Sequence, residues 1–327
     1  MFFYFKKVLV QGVKNIPKNK PVLLLGNHQN ALLDPLLIAV YSNRFSFFLT
    51  RAAVFKRTFI SSILKSLQML PVYRIRDGWS SISNNNAVFE TCSELLNDNE
   101  AIVIFPEGNH NLARRVRPLS KGFTRIIFET LEKYPNVDLQ LVPIGFNYQN
   151  ALNFPDSASL IFGKPIAAKD FVSENRRDDV IALKEVVYSE LKKLTTHIPQ
   201  EHYEDDLNKL KSLHVDFLKP KEVNKCIESD FKSCNKKEQS KISGLKRSLK
   251  LLLIINLIMP YAIWKLAVET KITELEFVST FRFAVAITLV PFWILIISVV
   301  LILNFGWLAG LIYFVSSLVL ALLTTKL

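Results

Sequence analysis

Two apolar stretches, Phe283 to Leu303 and Phe305 to Leu323, are separated by Asn304 alone. Each approaches the roughly 20 residues that a membrane-crossing helix needs. With Gly306 following the break, they read as a tight helical hairpin. An earlier apolar stretch, 249–267, is interrupted by Asn256, Pro260 and Lys265, and reads either as a third span or as a re-entrant or interfacial segment. Residues 249–327 are therefore expected to form a membrane region with two or three crossings.

The remainder of the 327-residue chain must then be read as a globular unit joined to that region. A mean hydropathy of +0.21 and a hydrophobic fraction of 50% agree with this division. The formal net charge is +12, of which +10 falls before residue 249 and +2 after it. A basic face suits anionic lipid or phosphorylated substrates. It would also suit nucleic acid, but no helix-turn-helix, zinc-finger or aromatic RNA-binding pattern accompanies it, so no nucleic-acid partner is expected. Cys92, Cys226 and Cys234 are too few and too scattered for a disulfide framework and fit a reducing compartment. The start of the chain lacks signal-peptide logic, because its lysines follow the aromatics and no small-residue cleavage site comes after. Residues 1–10 read equally as a surface-lying helix or as a first strand.

Apolar runs alternate with helical periodicity over residues 20–198, which predicts an α/β domain around a mostly parallel or mixed sheet flanked by helices. Pro21 to Gly26, Ser46 to Thr50, Met69 to Arg74, Ala101 to Phe105, Leu139 to Ile144 and Ser159 to Gly163 read as strands. Helices are expected over Val54–Leu67, from Ser83 to Leu96, Lys121–Lys133 and Asp178–Leu194. The α/β domain is placed at 1–198. Residues 199–248 read as a charged helical linker ending in a juxtamembrane basic belt, which puts the α/β domain on the cytoplasmic side of an integral membrane protein.

The residues with chemical potential stand where strands end. His28 follows the first buried run and precedes a helix, and Asp34 lies six positions on. Ligands gather at such junctions because helix N-terminal amides face the crevice beyond the strand's carboxyl end. The pair can act as a His-Asp base, or as a strand-end histidine with a helix-capping aspartate, and read alone the structural use is the commoner. Further on come Pro71-Val72-Tyr73-Arg74, Phe105-Pro106-Glu107-Gly108 and Val142-Pro143-Ile144-Gly145.

Taken together and in this order, these four motifs resemble the glycerolipid acyltransferase family over about residues 20–165, with Phe162-Gly163-Lys164-Pro165-Ile166 closing the likeness. The resemblance implies that His28 is a general base and that Asp34 orients it. It also makes Arg74 a binder of the acceptor's phosphate, with Arg76 nearby. Phe105, Pro106, Glu107 and Gly108 become acceptor-binding, Glu107 holding a glycerol hydroxyl or organising Arg74. Val142, Pro143, Ile144 and Gly145 fall on the acyl-donor side, although an ordinary buried strand and turn predicts the same four residues. Five residues separate His28 from Asp34 where the common family motif has four, and this spacing looks like a branch that contains glycerol-3-phosphate acyltransferases.

The chemistry asks for these residue types. A thioester is already activated, so the acceptor hydroxyl must lose its proton as it attacks, a task that suits a neutral imidazole. The expected activity is transfer of a fatty acyl group to the hydroxyl of 1-acylglycerol 3-phosphate in phospholipid synthesis, without an acyl-enzyme. Glycerol 3-phosphate is the alternative acceptor, and an aminoacyl lipid a further one. A non-catalytic scaffold that binds anionic lipid is the rival from another class, and a thioester hydrolase a third possibility. Acyl-CoA or acyl carrier protein is the expected co-substrate, with no other cofactor. The expected partners are membrane lipids and a phosphorylated glycerol or lysophospholipid acceptor. No metal is expected, since His28, Asp34, Glu107 and His110 lack the short spacing that fixes a ligand geometry. Arg114, Arg115 and Arg117 either meet an anionic substrate or form a solvated basic loop. His197, His202 and His214 read as solvated.

Overall fold

The computed structural model describes residues 1–73, 85–235 and 243–327. An eight-stranded sheet forms its centre: β1 (Phe5–Gln11), β2 (Val22–Gly26), β3 (Ser46–Arg51), β4 (Met69–Val72), β5 (Ala101–Ile104), β6 (Gln140–Tyr148), β7 (Asp156–Phe162) and the short β8 (Ile166–Ala167). The order across it is β1-β7-β6-β2-β5-β3-β4, with β8 pairing beside β6. Strands β6, β2, β5, β3 and β4 run parallel, whereas β7 turns back antiparallel on β6 and β1 joins it in parallel. The sheet is thus mixed, as the sequence pattern predicts. The first residues of the chain enter it as an edge strand.

Helices cover both faces, as a parallel core requires. On one face α1 (Leu33–Tyr41) packs Leu33, Leu37 and Ile38 against Leu24, Val103 and Ile144. On the other, α3 (Asn85–Asn97), α4 (Gly122–Lys133) and α5 (Arg176–Leu194) bury Phe89, Phe123, Ile127 and Val187 against Leu23, Ile102 and Leu141. Alternate residues of β2 therefore serve opposite cores. Between β3 and β4 runs α2 (Thr58–Ser66), which buries no residue.

The stretch beyond residue 198 departs from a simple linker. Helices α6 (Tyr203–Ser212) and α7 (Pro220–Glu228) enclose their own small core of Ile198, Leu210, Val215, Phe217, Val223 and Cys226. The unit is fastened to the α/β domain, because Asn224 donates to the carbonyls of Lys192 and Thr195 and accepts from the His197 amide. Sparse but well-spaced apolar residues suffice for this, which the charge-rich composition obscures. Cys226 and Cys234 are disulfide-bonded in this unit, contrary to the scattered-thiol reading, while Cys92 is free and buried.

In the membrane region, α8 (Ser243–Asn256) and α9 (Ile258–Ala262) begin two helical arms bent 96° apart. Pro260, which cannot donate to the helical ladder, lies just past the bend at Leu257. Then α10 (Val278–Ile287) and α11 (Leu289–Phe305) together form an apolar run of 31 residues from Leu275, and α12 (Trp307–Lys326) adds 20. Two helices are thus long and apolar enough to cross a membrane, or three if the bent pair makes one span. The turn between them falls at Gly306, whose φ of +88° is a backbone state that glycine adopts freely.

Candidate active site

The His28 loop owes its shape to one carboxylate. Asp34 sits in the first turn of α1, fully buried. Its Oδ2 accepts from the backbone amides of Gln29 and Asn30, both at 2.8 Å, and lies 2.9 Å from His28 Nδ1. Its Oδ1 accepts from the Tyr148 hydroxyl at 2.5 Å. Four donors thus converge on two oxygens. A carboxylate can only accept, so Nδ1 carries a proton, and in the neutral ring Nε2 is then the nitrogen with a lone pair to offer. This is the nitrogen a general base needs, held by a carboxylate as in the familiar hydrolytic triads but with no serine supplied.

The ring is fixed from its other sides too. Phe105, one residue beyond β5, stacks on the imidazole with centroids 4.0 Å apart and planes 16° from parallel. The Asn111 amide donates to the His28 carbonyl at 2.9 Å, tying the two loops. Asn27, at the end of β2, exchanges two hydrogen bonds with the Phe146 backbone and so continues the strand ladder with its side chain. His28 itself remains 12% exposed, enough for a reacting group to reach it.

The Glu107 side chain is 2% exposed, and burial pushes its carboxyl up against the opposing pull of Arg117. Arg117 grips it with Nε at 2.9 Å and Nη2 at 2.5 Å. The resemblance implies that Glu107 holds a glycerol hydroxyl or organises Arg74, which with Arg76 lies outside the described residues. Among the described residues Arg117, ten positions on, is the cation that meets Glu107. Gly108 has φ +78° and open space where a Cβ would stand, so its conformation, rather than a close backbone approach, explains the glycine. Pro106 is buried behind the loop.

The arginines after Glu107 do not form a solvated loop. Arg114 is enclosed, with its guanidinium 3.7 Å from the Phe217 ring centroid and its nitrogens donating to the Tyr148 and Gln149 carbonyls. Burial lowers it to about 10. His197 is likewise not solvated, since its Nδ1 accepts from the Val116 amide at 3.1 Å and burial brings it down to about 4. His202 and His214 are exposed as expected.

Val142, Pro143, Ile144 and Gly145 all lie inside β6, with Val142 and Ile144 wholly buried in the same core as α1. A Cβ on Gly145 would stand 2.2 Å from the Leu194 carbonyl oxygen. These positions are sheet interior, and the nearby contribution to the site comes from the end of the strand, through Tyr148.

The membrane region also reaches the site. Thr280 accepts from the Leu32 amide, Tyr4 donates to the Ser279 carbonyl, and Arg282 donates to that of Leu152. Phe277 meets His110 edge-on, and His110 meets His28 in turn with centroids 5.6 Å apart. His110, Glu274 and Glu276 place one potential metal-ligand atom each within 4.8 Å of one another. A cleft of about 630 Å³ adjoins the loop at Gln29 and runs between residues 149–153 and α6.

Residues 7–147 match the family model described as acyltransferase. Over 118 residues the chain is 30% identical to glycerol-3-phosphate O-acyltransferase 1 of Saccharomyces cerevisiae, covering 34% of this chain and 16% of that protein. Over 125 residues it is 29% identical to a 1-acyl-sn-glycerol-3-phosphate acyltransferase of Borreliella burgdorferi, covering 38% of this chain and 47% of that protein. The chain therefore spans less than half the length of these relatives. A crystal structure of the 1-acyl-sn-glycerophosphate acyltransferase of Thermotoga maritima has a TM-score of 0.40 at 22% identity, covering 58% of this chain and 73% of that one.

Proposed function

We propose, from the match of residues 7–147 to the acyltransferase family model, that this protein transfers a fatty acyl group from a thioester donor to a hydroxyl of a phosphorylated glycerol acceptor. The observation that supports the proposal is the His28-Asp34 pair, with Nδ1 held 2.9 Å from the carboxylate, an arrangement that suits Nε2 to the proposed role of base. The acceptor oxygen attacks the thioester carbonyl while His28 Nε2 takes its proton. A C–O bond forms, the C–S bond breaks, and the departing thiolate receives the proton back through the imidazole. No covalent acyl-enzyme is needed, because the acceptor's own oxygen is the nucleophile.

The preferred acceptor is 1-acylglycerol 3-phosphate, as in the Borreliella burgdorferi relative's name. Glycerol 3-phosphate is the second reading, favoured by the five-residue spacing between His28 and Asp34 and by the yeast relative's name. In either case Arg74 is the proposed phosphate ligand, since a guanidinium can hold phosphate through two parallel bonds. Glu107, with Phe105, Pro106 and Gly108, is proposed to line the acceptor side. The donor is acyl-CoA or acyl carrier protein, and no other cofactor is invoked. Apolar spans support a membrane location, where both the acyl chains and a lysolipid reside. The basic sequence before residue 249 supports a cytoplasmic α/β domain.

Purified protein, labelled acyl-CoA and a panel of acceptors test the reading. Transfer should fall by about a hundred- to ten-thousandfold in His28→Ala. Undiminished transfer in that variant overturns the mechanism, and absence of transfer to every acceptor supports a lipid-binding scaffold instead. Thioester loss without an acceptor would mark a hydrolase.

A further inference from the structure

We propose that α2 is an interfacial helix that docks on the anionic surface of the bilayer, a second membrane contact distinct from the C-terminal spans. The inference rests on the membrane reading of those spans.

An ordinary surface helix turns its apolar stripe inward. Helix α2 does the reverse. Phe59 and Ile63, four residues apart, continue at the same spacing into Leu67, and Ile60 lies beside them. All four face solvent, with exposures of 78% for Phe59, 44% for Ile63, 55% for Leu67 and 39% for Ile60. Within α2 only Ser61 and Leu64 are partly covered. No side chain of α2 is buried, so the stripe contributes nothing to the core. Contiguous exposed apolar surface of this kind marks a contact.

The charge around it selects the occupant. No acidic residue occurs between Asp34 and Asp77, whereas that interval holds Arg44, Arg51, Lys56, Arg57, Lys65, Arg74 and Arg76. Lys56 and Arg57 precede the helix and Lys65 lies in its last turn. An apolar stripe bordered by cations, in a sequence interval that holds no acidic residue, is the composition of a helix lying in the headgroup layer.

Topology puts the stripe on the appropriate side. The β2-α1-β3 and β3-α2-β4 connections are parallel crossovers advancing in the same direction across the sheet. Right-handed crossovers then place α1 and α2 on one face. It is the face where Phe283 and Ala286 of α10 pack into the same core as α1. The membrane region and α2 therefore share a side of the sheet, near its opposite edges.

The test uses the full chain reconstituted in phosphatidylcholine vesicles with and without phosphatidylglycerol. An environment-sensitive fluorophore is attached through Ile63→Cys, or through Ile181→Cys as the comparison. Ile181 is 47% exposed and apolar too, but its helix α5 covers the other face of the sheet. Brominated acyl chains should quench the label at 63 and leave that at 181 unaffected, more strongly with phosphatidylglycerol present. The triple variant Lys56→Gln, Arg57→Gln, Lys65→Gln should shift the docked population by about fivefold per cation removed. Equal quenching at the two positions overturns the proposal. So does a label at 63 shielded from water yet untouched by bromine, which would mean that protein covers the stripe. Failure of the chain to enter vesicles at all would overturn the membrane reading with it, whereas incorporation without quenching at 63 defeats α2 alone.

Discussion

The Tyr148 hydroxyl donates to Oδ1 of Asp34 at 2.5 Å, across 114 positions of sequence. Burial and the neighbouring carboxylate hold the phenol well above its ordinary range, so it remains a donor at every working pH. Tyr148→Phe keeps the ring and removes this one bond, leaving Asp34 with its two amide donors and His28. We expect kcat to fall about tenfold, the equivalent of roughly 1.4 kcal/mol, with the acceptor KM little changed. Steady-state kinetics on both substrates check this, and a rise confined to KM would contradict a role in holding the base.

Arg117→Ala should be among the most damaging substitutions outside the core. It strips the cation from a carboxylate that is 2% exposed, and breaking such a pair typically costs about 3–5 kcal/mol. Burial already raises Glu107, and loss of Arg117 raises it further. The folded state then favours the protonated acid, so the penalty is full at neutral pH and shrinks as the medium becomes acid enough to protonate Glu107. Thermal melts of both proteins in detergent at neutral and acid pH should converge at the acid end.

Acid should also weaken the chain through His197. Its folded-state value of about 4 lies below the ordinary 6.5, so the unfolded chain takes up the proton first. The stability that neutral His197 contributes is present above about pH 6.5 and is lost progressively as pH falls toward 4. His197→Gln keeps an acceptor for the Val116 amide but cannot titrate. Its Tm should therefore depend less on pH over that window than the wild type's, and parallel curves would refute the assignment.

Gly145→Ala tests whether the Val142–Gly145 motif is structural. The new methyl would fall 2.2 Å from a backbone oxygen that cannot step aside alone, and overpacking of this kind costs about 1–3 kcal/mol or more. Reduced expression and a lower Tm, with unchanged donor KM in whatever protein folds, would place the motif's importance in the sheet. A specific rise in donor KM with normal stability would return it to the binding site.

Elements whose patterns are local were readable in the sequence. The apolar runs of β2 and β5, the periodicity of α4 and the hairpin of long helices declare themselves within a few residues. His28 and Asp34 were legible as a pair because only six positions, from the end of β2 to the first turn of α1, separate them. What could not be read are partners that meet only through the sheet. Tyr148 reaches Asp34 because β6 lies beside β2, and Glu107 chooses Arg117 because a turn folds back, where spacing offers several arginines equally. The α6-α7 unit was hidden for another reason, since a handful of buried residues in a charged stretch leaves no strong period.

The Leu32 amide donates to Thr280, Tyr4 to the Ser279 carbonyl and Arg282 to the Leu152 carbonyl. Mechanically these bonds make the sheet and α10 a single bracket, and α10 leads directly into α11. If α11 crosses a bilayer, as its length and composition allow, this joint would set the distance of His28 from the hydrocarbon. On the proposed function, an acceptor would have to bring its hydroxyl to that depth, so the joint between sheet and α10 would bear on how a substrate must be seated as well as on what it is.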